Sequence, residues 1–319
     1  MSKPEVLVAA KFPPYLMDRL RQDFSVHDRL HETDPAAFAA AAPKIRAIAC
    51  GGESKVPRTL TDQLPALEMI SVMGVGYDGV DVAAALERKV PVSHTPNVLN
   101  DDVADLAIAL MLSVARRIPQ SDRFVRENRW PAGAFPLARK MSGARLGIVG
   151  LGRIGQAIAQ RAAAFGMSIA YTGRSEHKGV AHRYYPSAAA LAAQVDFLVV
   201  ITPGGAGTLK MINREVLDAL GPQGFLVNVA RGSVVDQEAL IEALRSGRIA
   251  GAALDVFDGE PQVPQALREM DNVVLTPHIG SGTNATRQAM ADLTHANLVA
   301  HFAGRPLPSA VPEWKALGK

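Results

Sequence analysis

Arg231, Glu260 and His278 are the residues of this sequence best suited to chemistry at a carbonyl group. They lie in three fragments, NVARGSVVD (228–236), LDVFDGEP (254–261) and LTPHIGSGT (275–283), each of which follows a short apolar run. Such runs, bounded by turn residues, read as buried parallel strands, and open α/β sheets bind ligands beyond the carboxyl ends of their strands. The three residues are therefore expected along one sheet edge. There Arg231 can hold a ketoacid's carboxylate or carbonyl oxygen by paired, charge-assisted hydrogen bonds. His278 can deliver a proton to the carbonyl oxygen while a hydride arrives at carbon. Glu260 would orient the imidazole and stabilise its charged form. Singly, each has a plainer reading: a surface arginine, a turn glutamate before proline, a capping histidine. The carboxylates of DVFDGE could also suggest a metal site, but no His or Cys ligand spacing accompanies them, so no metal is expected.

A hydride needs a carrier, and the stretch from 146 to 177 supplies the place for one. The apolar run Leu146 to Val149 leads into Gly150-Leu151-Gly152-Arg153-Ile154-Gly155, then a helical stretch, then a second apolar run from Met167 to Tyr171. A GxGxxG alone is a weak signal. Between a strand and a helix in a βαβ unit it reads as a dinucleotide-binding loop, with the pyrophosphate at the helix N-terminus. About 20 residues past the glycines an acidic residue usually meets the ribose 2′-hydroxyl. This chain has Gly173, Arg174 and Ser175 there instead. Gly173 removes carboxylate and bulk, while Arg174 and Ser175 offer donors to a 2′-phosphate. NADP(H) is therefore expected in preference to NAD(H), with NAD(H) use still possible.

The elements that must position these residues alternate along the chain. Strands are expected at Val6–Ala10, Ala47–Cys50, Met69–Met73 and Val90–His94, with helical patterns at Leu16–Phe24, Ala36–Ala42 and Val82–Lys89 between them. A long helix follows, Asp102 to Arg116, with one face marked by Val103, Leu106, Ala107, Leu110 and Val114. After the glycine unit come strands at Phe197–Ile201, Phe225–Val229, Ala250–Leu254 and Val273–Leu275. Helices at Ser187–Gln194, Glu215–Leu220 and Asp236–Arg245 separate them, with Ser187 and Asp236 as N-caps. The alternation predicts α/β architecture with parallel sheets. A last helical stretch, Asn284 to Ala303, could cover the second domain or return to the first.

Composition excludes several other classes. The 319 residues suggest about two domains. Apolar residues at 48%, charged residues at 20% and a net charge of +3 are ordinary for a globular protein and give no basic surface for nucleic acid. The single cysteine, Cys50, rules out an internal disulfide or a thiolate metal cluster. No signal-peptide pattern and no membrane span are read, so the cytoplasm is the expected location.

These motifs, with SVMGVGYDGVD (71–81) and NDDVADLAIALML (100–112) in the same order, resemble the D-isomer-specific 2-hydroxyacid dehydrogenases from end to end. Within that family the chain looks like the glyoxylate/hydroxypyruvate reductases. The resemblance implies that the family's catalytic Arg, Glu and His fall on Arg231, Glu260 and His278. It places the substrate carboxylate at backbone N–H groups near Val75 and Gly76, with Gly51 and Gly52 in the same cleft. Asp255 would stand near the nicotinamide carboxamide. Thr202, Pro203, Val229, Ala230 and Gly280 would line the cofactor groove, beside Arg231 and His278. The implied fold is two doubly wound parallel-sheet domains, a Rossmann cofactor domain (99–284) inserted in a flavodoxin-like substrate domain (1–98 and 285–319). A homodimer is also implied, formed through the cofactor domains with the long helix and the Trp130 loop.

The leading expectation is thus NADPH-dependent reduction of small 2-ketoacids, glyoxylate and hydroxypyruvate first. The alternatives are an NAD-linked D-2-hydroxyacid dehydrogenase acting on a larger ketoacid such as 2-ketogluconate or an aryl pyruvate, with the Glu53-Ser54-Lys55 loop setting pocket size, and a corepressor-like dinucleotide-sensing protein.

Overall fold

The computed structural model describes residues 3–317. The chain divides into two compact units, one formed by the chain up to Leu99 and from Asn284 onward, the other by Asn100–Thr283.

The first unit is built on five parallel strands: β1 (Glu5–Ala9), β2 (Ser25–Asp28), β3 (Ile45–Gly51), β4 (Met69–Met73) and β5 (Val92–Ser93). Their spatial order is β2-β1-β3-β4-β5, the flavodoxin-like arrangement. β4 is buried along its whole length, as a strand covered on both faces must be. Leu7, Ile48, Ile70 and Val92 from four of the strands meet in one core. The C-terminal stretch resolves the choice left by the sequence. Helix Asn284–Phe302 belongs to this unit, and the Ser71 hydroxyl on β4 donates to the Thr294 carbonyl at 3.1 Å. Cys50 is fully buried on β3, and burial pushes its thiol up to about 12, so it is a small apolar packing residue rather than a nucleophile.

The second unit holds seven parallel strands: β6 (Arg145–Val149), β7 (Ser168–Thr172), β8 (Arg183–Tyr184), β9 (Phe197–Val200), β10 (Phe225–Asn228), β11 (Gly251–Leu254) and β12 (Val273–Leu275). Their order is β12-β11-β10-β9-β6-β7-β8. This is the doubly wound dinucleotide-binding order with one further strand, and the direction of winding reverses between β6 and β9. β9 and β10 are wholly buried, and Leu198, Leu226, Leu254 and Leu217 share one core. Ser187 and Asp236 cap their helices as expected, accepting from the Ala190 and Ala239 amides.

Two strands were not foreseen. β2 is a polar edge strand with no buried residue, and β8 is two residues long. Helix Ile118–Arg126 also lay outside the expected elements. Among the described residues no helix is long and apolar enough to cross a membrane.

Candidate active site

The winding reversal leaves a crevice beyond the carboxyl ends of β6 and β9. The glycine loop lies there. Gly150 has φ +102°, and a methyl group on it would come within 3.0 Å of the Ile201 carbonyl oxygen and the Thr202 backbone. A methyl on Gly155 would lie 2.3 Å from the Gly150 carbonyl oxygen, so the loop and helix Arg153–Ala163 can pack only with glycine at both positions. Gly152 differs: nothing comes within 4 Å of the space its side chain would take, and no side chain caps the helix it begins. The first-turn amides therefore face open space beside bare backbone, which fits a pyrophosphate.

Thr172, the last residue of β7, accepts from the Gly150 amide at 2.9 Å, tying the glycine loop to the strand end that bears Gly173. Arg174 and Ser175 follow, both exposed. A methyl added to Gly173 would meet nothing nearer than the Ser175 carbonyl oxygen at 4.0 Å. The missing acid is thus a choice of residue and not a steric necessity.

Thr202 and Pro203 follow β9, Val229 and Ala230 follow β10, Asp255 follows β11, and the turn to Gly280 follows β12. All stand beyond the same carboxyl edge as the glycine loop. The Arg231 segment is shaped by a residue the sequence reading passed over. Buried Asn228 accepts from the Ala230 amide and donates to the Arg231 carbonyl, both at 3.0 Å. The Arg231 guanidinium donates to the Ala230 carbonyl at 2.8 Å. Gly232 matters as well. A methyl there would sit 1.9 Å from the Phe257 carbonyl carbon, so backbone of the Arg231 loop presses on backbone of the Glu260 loop.

Glu260 and His278 meet directly. Glu260 Oε2 lies 2.8 Å from His278 Nδ1, and Oε1 accepts from the Phe257 amide at 2.7 Å. A carboxylate only accepts, so Nδ1 carries the shared hydrogen and Nε2 becomes the atom at which a proton is gained or lost. His278 holds an unusual backbone, φ +52°, in the left-handed region that costs a side chain of this size energy.

Asp255 is what holds that turn. Its Oδ1 accepts from the Thr276 hydroxyl (2.7 Å) and the Ile279 amide (2.8 Å), and its Oδ2 from the Gly280 amide (2.8 Å). Its own carbonyl accepts from the His278 amide at 2.9 Å. Burial pushes the Asp255 carboxyl above the ordinary carboxylate range, against the downward pull of these donors. Held by one hydroxyl and two backbone amides, the buried Asp255 side chain is a structural clamp on the histidine turn.

In the first unit the substrate-binding candidates also come together. A methyl on Gly74 would lie 2.8 Å from Gly52 Cα, and one on Gly52 would lie 3.1 Å from the Gly76 carbonyl oxygen. The Gly51–Gly52 and Gly74–Gly76 loops are therefore packed backbone to backbone. Val75 is tied in by its carbonyl, 2.9 Å from His94 Nδ1.

Residues 108–280 match the model of the D-isomer specific 2-hydroxyacid dehydrogenase NAD binding domain. The chain belongs to this family. It is similar to the hydroxyphenylpyruvate reductase of Plectranthus scutellarioides, 47% identical over 96% of this chain and 98% of that one. The 2-ketogluconate reductase of Gluconobacter oxydans is 44% identical over 97% and 99% of the two chains. Among solved structures, the NADPH-dependent glyoxylate/hydroxypyruvate reductase from Sinorhizobium meliloti, in complex with NADP and malonate, superposes with a TM-score of 0.93 at 46% identity, covering 98% of each chain.

Proposed function

We propose that this family member is an NADPH-dependent reductase of small 2-ketoacids, with glyoxylate and hydroxypyruvate as its first substrates. The observation that carries the reading is the 2.8 Å Glu260–His278 pair, which supports Nε2 as the proton donor. Arg231 binds the ketoacid's carboxylate and carbonyl oxygen through its fork of donors. Bound at the glycine loop, NADPH supplies the hydride that becomes the hydrogen on C2 of the product. As the carbonyl oxygen gains negative charge, His278 Nε2 gives it a proton, and the imidazole left behind keeps its Nδ1 hydrogen on Glu260. Backbone amides at Val75 and Gly76, beside Gly51 and Gly52, are assigned to the substrate carboxylate.

The first-turn amides from Arg153 to Gly155, with Gly150, Leu151 and Gly152, would hold the pyrophosphate. Arg174 and Ser175, on the acid-free strand end at Gly173, would hold the 2′-phosphate. Thr202, Pro203, Val229, Ala230 and Gly280 would line the groove. Asp255 has about four acceptor directions, and three donors occupy it, leaving one for a carboxamide N–H. The structural relative with NADP and malonate supports both the cofactor and a carboxylate ligand.

The test is kcat/KM for glyoxylate, hydroxypyruvate, 2-ketogluconate and hydroxyphenylpyruvate with NADPH and with NADH, followed at 340 nm. The two small acids with NADPH should lead. A lead for 2-ketogluconate or the aryl acid would move the assignment to the larger-substrate reading, which those two relatives make the specific alternative. No turnover of any pair would sink the enzyme reading.

We further propose a homodimer formed through the second unit. Ile118, Val125, Trp130 and Leu137 are exposed apolar side chains within one stretch of that unit, Leu137 completely so. Leu137 lines, and Ile118 adjoins in sequence, a hollow of about 790 Å³ at the amino-terminal edge of the sheet, bounded also by Val114, Arg117, Phe225 and Asn272. An apolar surface of this kind is what an interface covers. Light scattering should give twice the chain mass of 33.9 kDa, and Trp130→Glu together with Leu137→Glu should return the monomer. A monomer for the unaltered protein would refute the dimer.

A further inference from the structure

Tyr171 is the penultimate residue of β7 and one of the largest side chains buried to 0% exposure. A phenol buried so deeply needs a partner for its hydroxyl, since an unpaired one is costly. Its partner is a backbone group six residues on: the His177 amide donates to Tyr171 Oη at 2.7 Å. The His177 ring also stands edge-on to the phenol, centroids 5.6 Å apart at 79°. Tyr184 on β8 is in register with Tyr171, and their rings lie 5.5 Å apart. The Tyr184 hydroxyl donates to the Gly173 carbonyl at 3.4 Å.

The chain from Gly173 to His177 is thus held at both ends. β7 and Tyr184 fix it at Gly173, and the buried Tyr171 hydroxyl fixes it at His177. Between these points only Arg174, Ser175 and Glu176 remain, all exposed. A long arginine side chain that must close on a phosphate loses conformational freedom, and it loses less when its backbone is already placed. Phenylalanine at 171 would fill the same space in the core, so packing alone does not explain the hydroxyl.

We infer that Tyr171, supported by Tyr184, is a positioning residue for cofactor selection: it pre-shapes the Gly173–His177 loop so that Arg174 and Ser175 present their donors to a 2′-phosphate. The inference rests on the NADP(H) reading above. It separates the residues that contact the phosphate from those that set where the contact is made.

The experiment uses the full-length protein carrying Tyr171→Phe, with Tyr184→Phe as a second variant that leaves the buried hydroxyl intact. KM and kcat are measured for NADPH and NADH, and binding of adenosine 2′,5′-bisphosphate and of AMP is measured by calorimetry. Loss of one buried hydrogen bond should raise KM for NADPH and Kd for the bisphosphate by roughly 3- to 10-fold. KM for NADH, Kd for AMP and kcat should stay within about twofold of the unaltered protein. Tyr184→Phe should give a smaller change in the same direction, and it carries the test alone if Tyr171→Phe fails to fold. A purely structural tyrosine would weaken both cofactors together, and that result overturns the proposal. So does a folded Tyr171→Phe protein with unchanged NADPH affinity. The unaltered protein separates the two readings. If it prefers NADPH and loses that preference on Arg174→Ala, an unmoved tyrosine variant refutes only the positioning role. If it shows no preference for NADPH, the NADP(H) reading and this inference fall together.

Discussion

Replacing His278 by alanine should lower kcat for ketoacid reduction by on the order of 10²- to 10⁴-fold, the range for a lost acid/base group, while KM for NADPH stays within a few-fold. The expectation follows from the way the imidazole is held. Glu260 Oε2 takes the Nδ1 hydrogen at 2.8 Å, and the other carboxylate oxygen is anchored by the Phe257 amide, so the ring cannot turn without breaking its hydrogen bond to a carboxylate that is itself held in place. Water that takes the vacated space has no such orientation and is a far weaker acid than an imidazolium. His278 has φ +52°, which makes His278→Asn the cleaner variant. Asparagine tolerates the left-handed backbone better than most residues and can still donate to Glu260, yet it carries no titrating proton. Both variants should show the same loss in kcat. Glu260→Gln should cost less, since the amide oxygen still accepts from Nδ1 but no longer stabilises the charged ring. Activity within about tenfold of the unaltered protein in His278→Asn would show that the proton comes from elsewhere.

The sequence showed this site unevenly, and the reasons are physical. Arg231, Glu260 and His278 were legible because each follows an apolar run, and parallel strands bring their carboxyl ends to one edge whatever the intervening lengths. The caps Ser187 and Asp236 were legible because capping is local, a side chain reaching an amide three residues on. Asn228, Gly232 and the clamp formed by Asp255 were not. Asn228 reads as an ordinary strand-end residue until its two backbone partners are seen. Gly232 matters only because another loop lies 1.9 Å from where its side chain would be. The resemblance gave Asp255 a place near the cofactor, but its clamp was hidden because its three donors come from Thr276, Ile279 and Gly280 across a gap of more than twenty residues. The missed strands fail for a different reason. β2 at the sheet edge buries no side chain, and β8 is too short to show a period, so neither leaves a hydrophobic pattern. Helix Asn284–Phe302 was visible, but its destination depended on contacts such as Ser71 with Thr294, more than two hundred positions apart.

Gly173→Asp should turn the proposed preference from NADPH to NADH, lowering kcat/KM for NADPH by 10²-fold or more, about 2.7 kcal/mol, while leaving that for NADH unchanged or higher. The backbone admits the change. Gly173 has no neighbour closer than 4.0 Å to an added methyl, and it follows a strand whose end is fixed by the Gly150 amide on the Thr172 carbonyl. The new carboxylate would stand where a ribose 2′-hydroxyl can donate to it and where a doubly charged 2′-phosphate is repelled. Arg174→Ala tests the other half of the same idea. Hydrogen bonds to charged groups are worth about 1.5–3 kcal/mol, so KM for NADPH should rise roughly 10- to 150-fold, with NADH hardly affected. The two substitutions act by different forces, one adding repulsion and the other removing attraction, and specificity at a shared site commonly uses both. Their combination should therefore favour NADH more than either alone. Equal losses for both cofactors in either single variant would mean that the loop shapes the whole adenosine site and reads no phosphate.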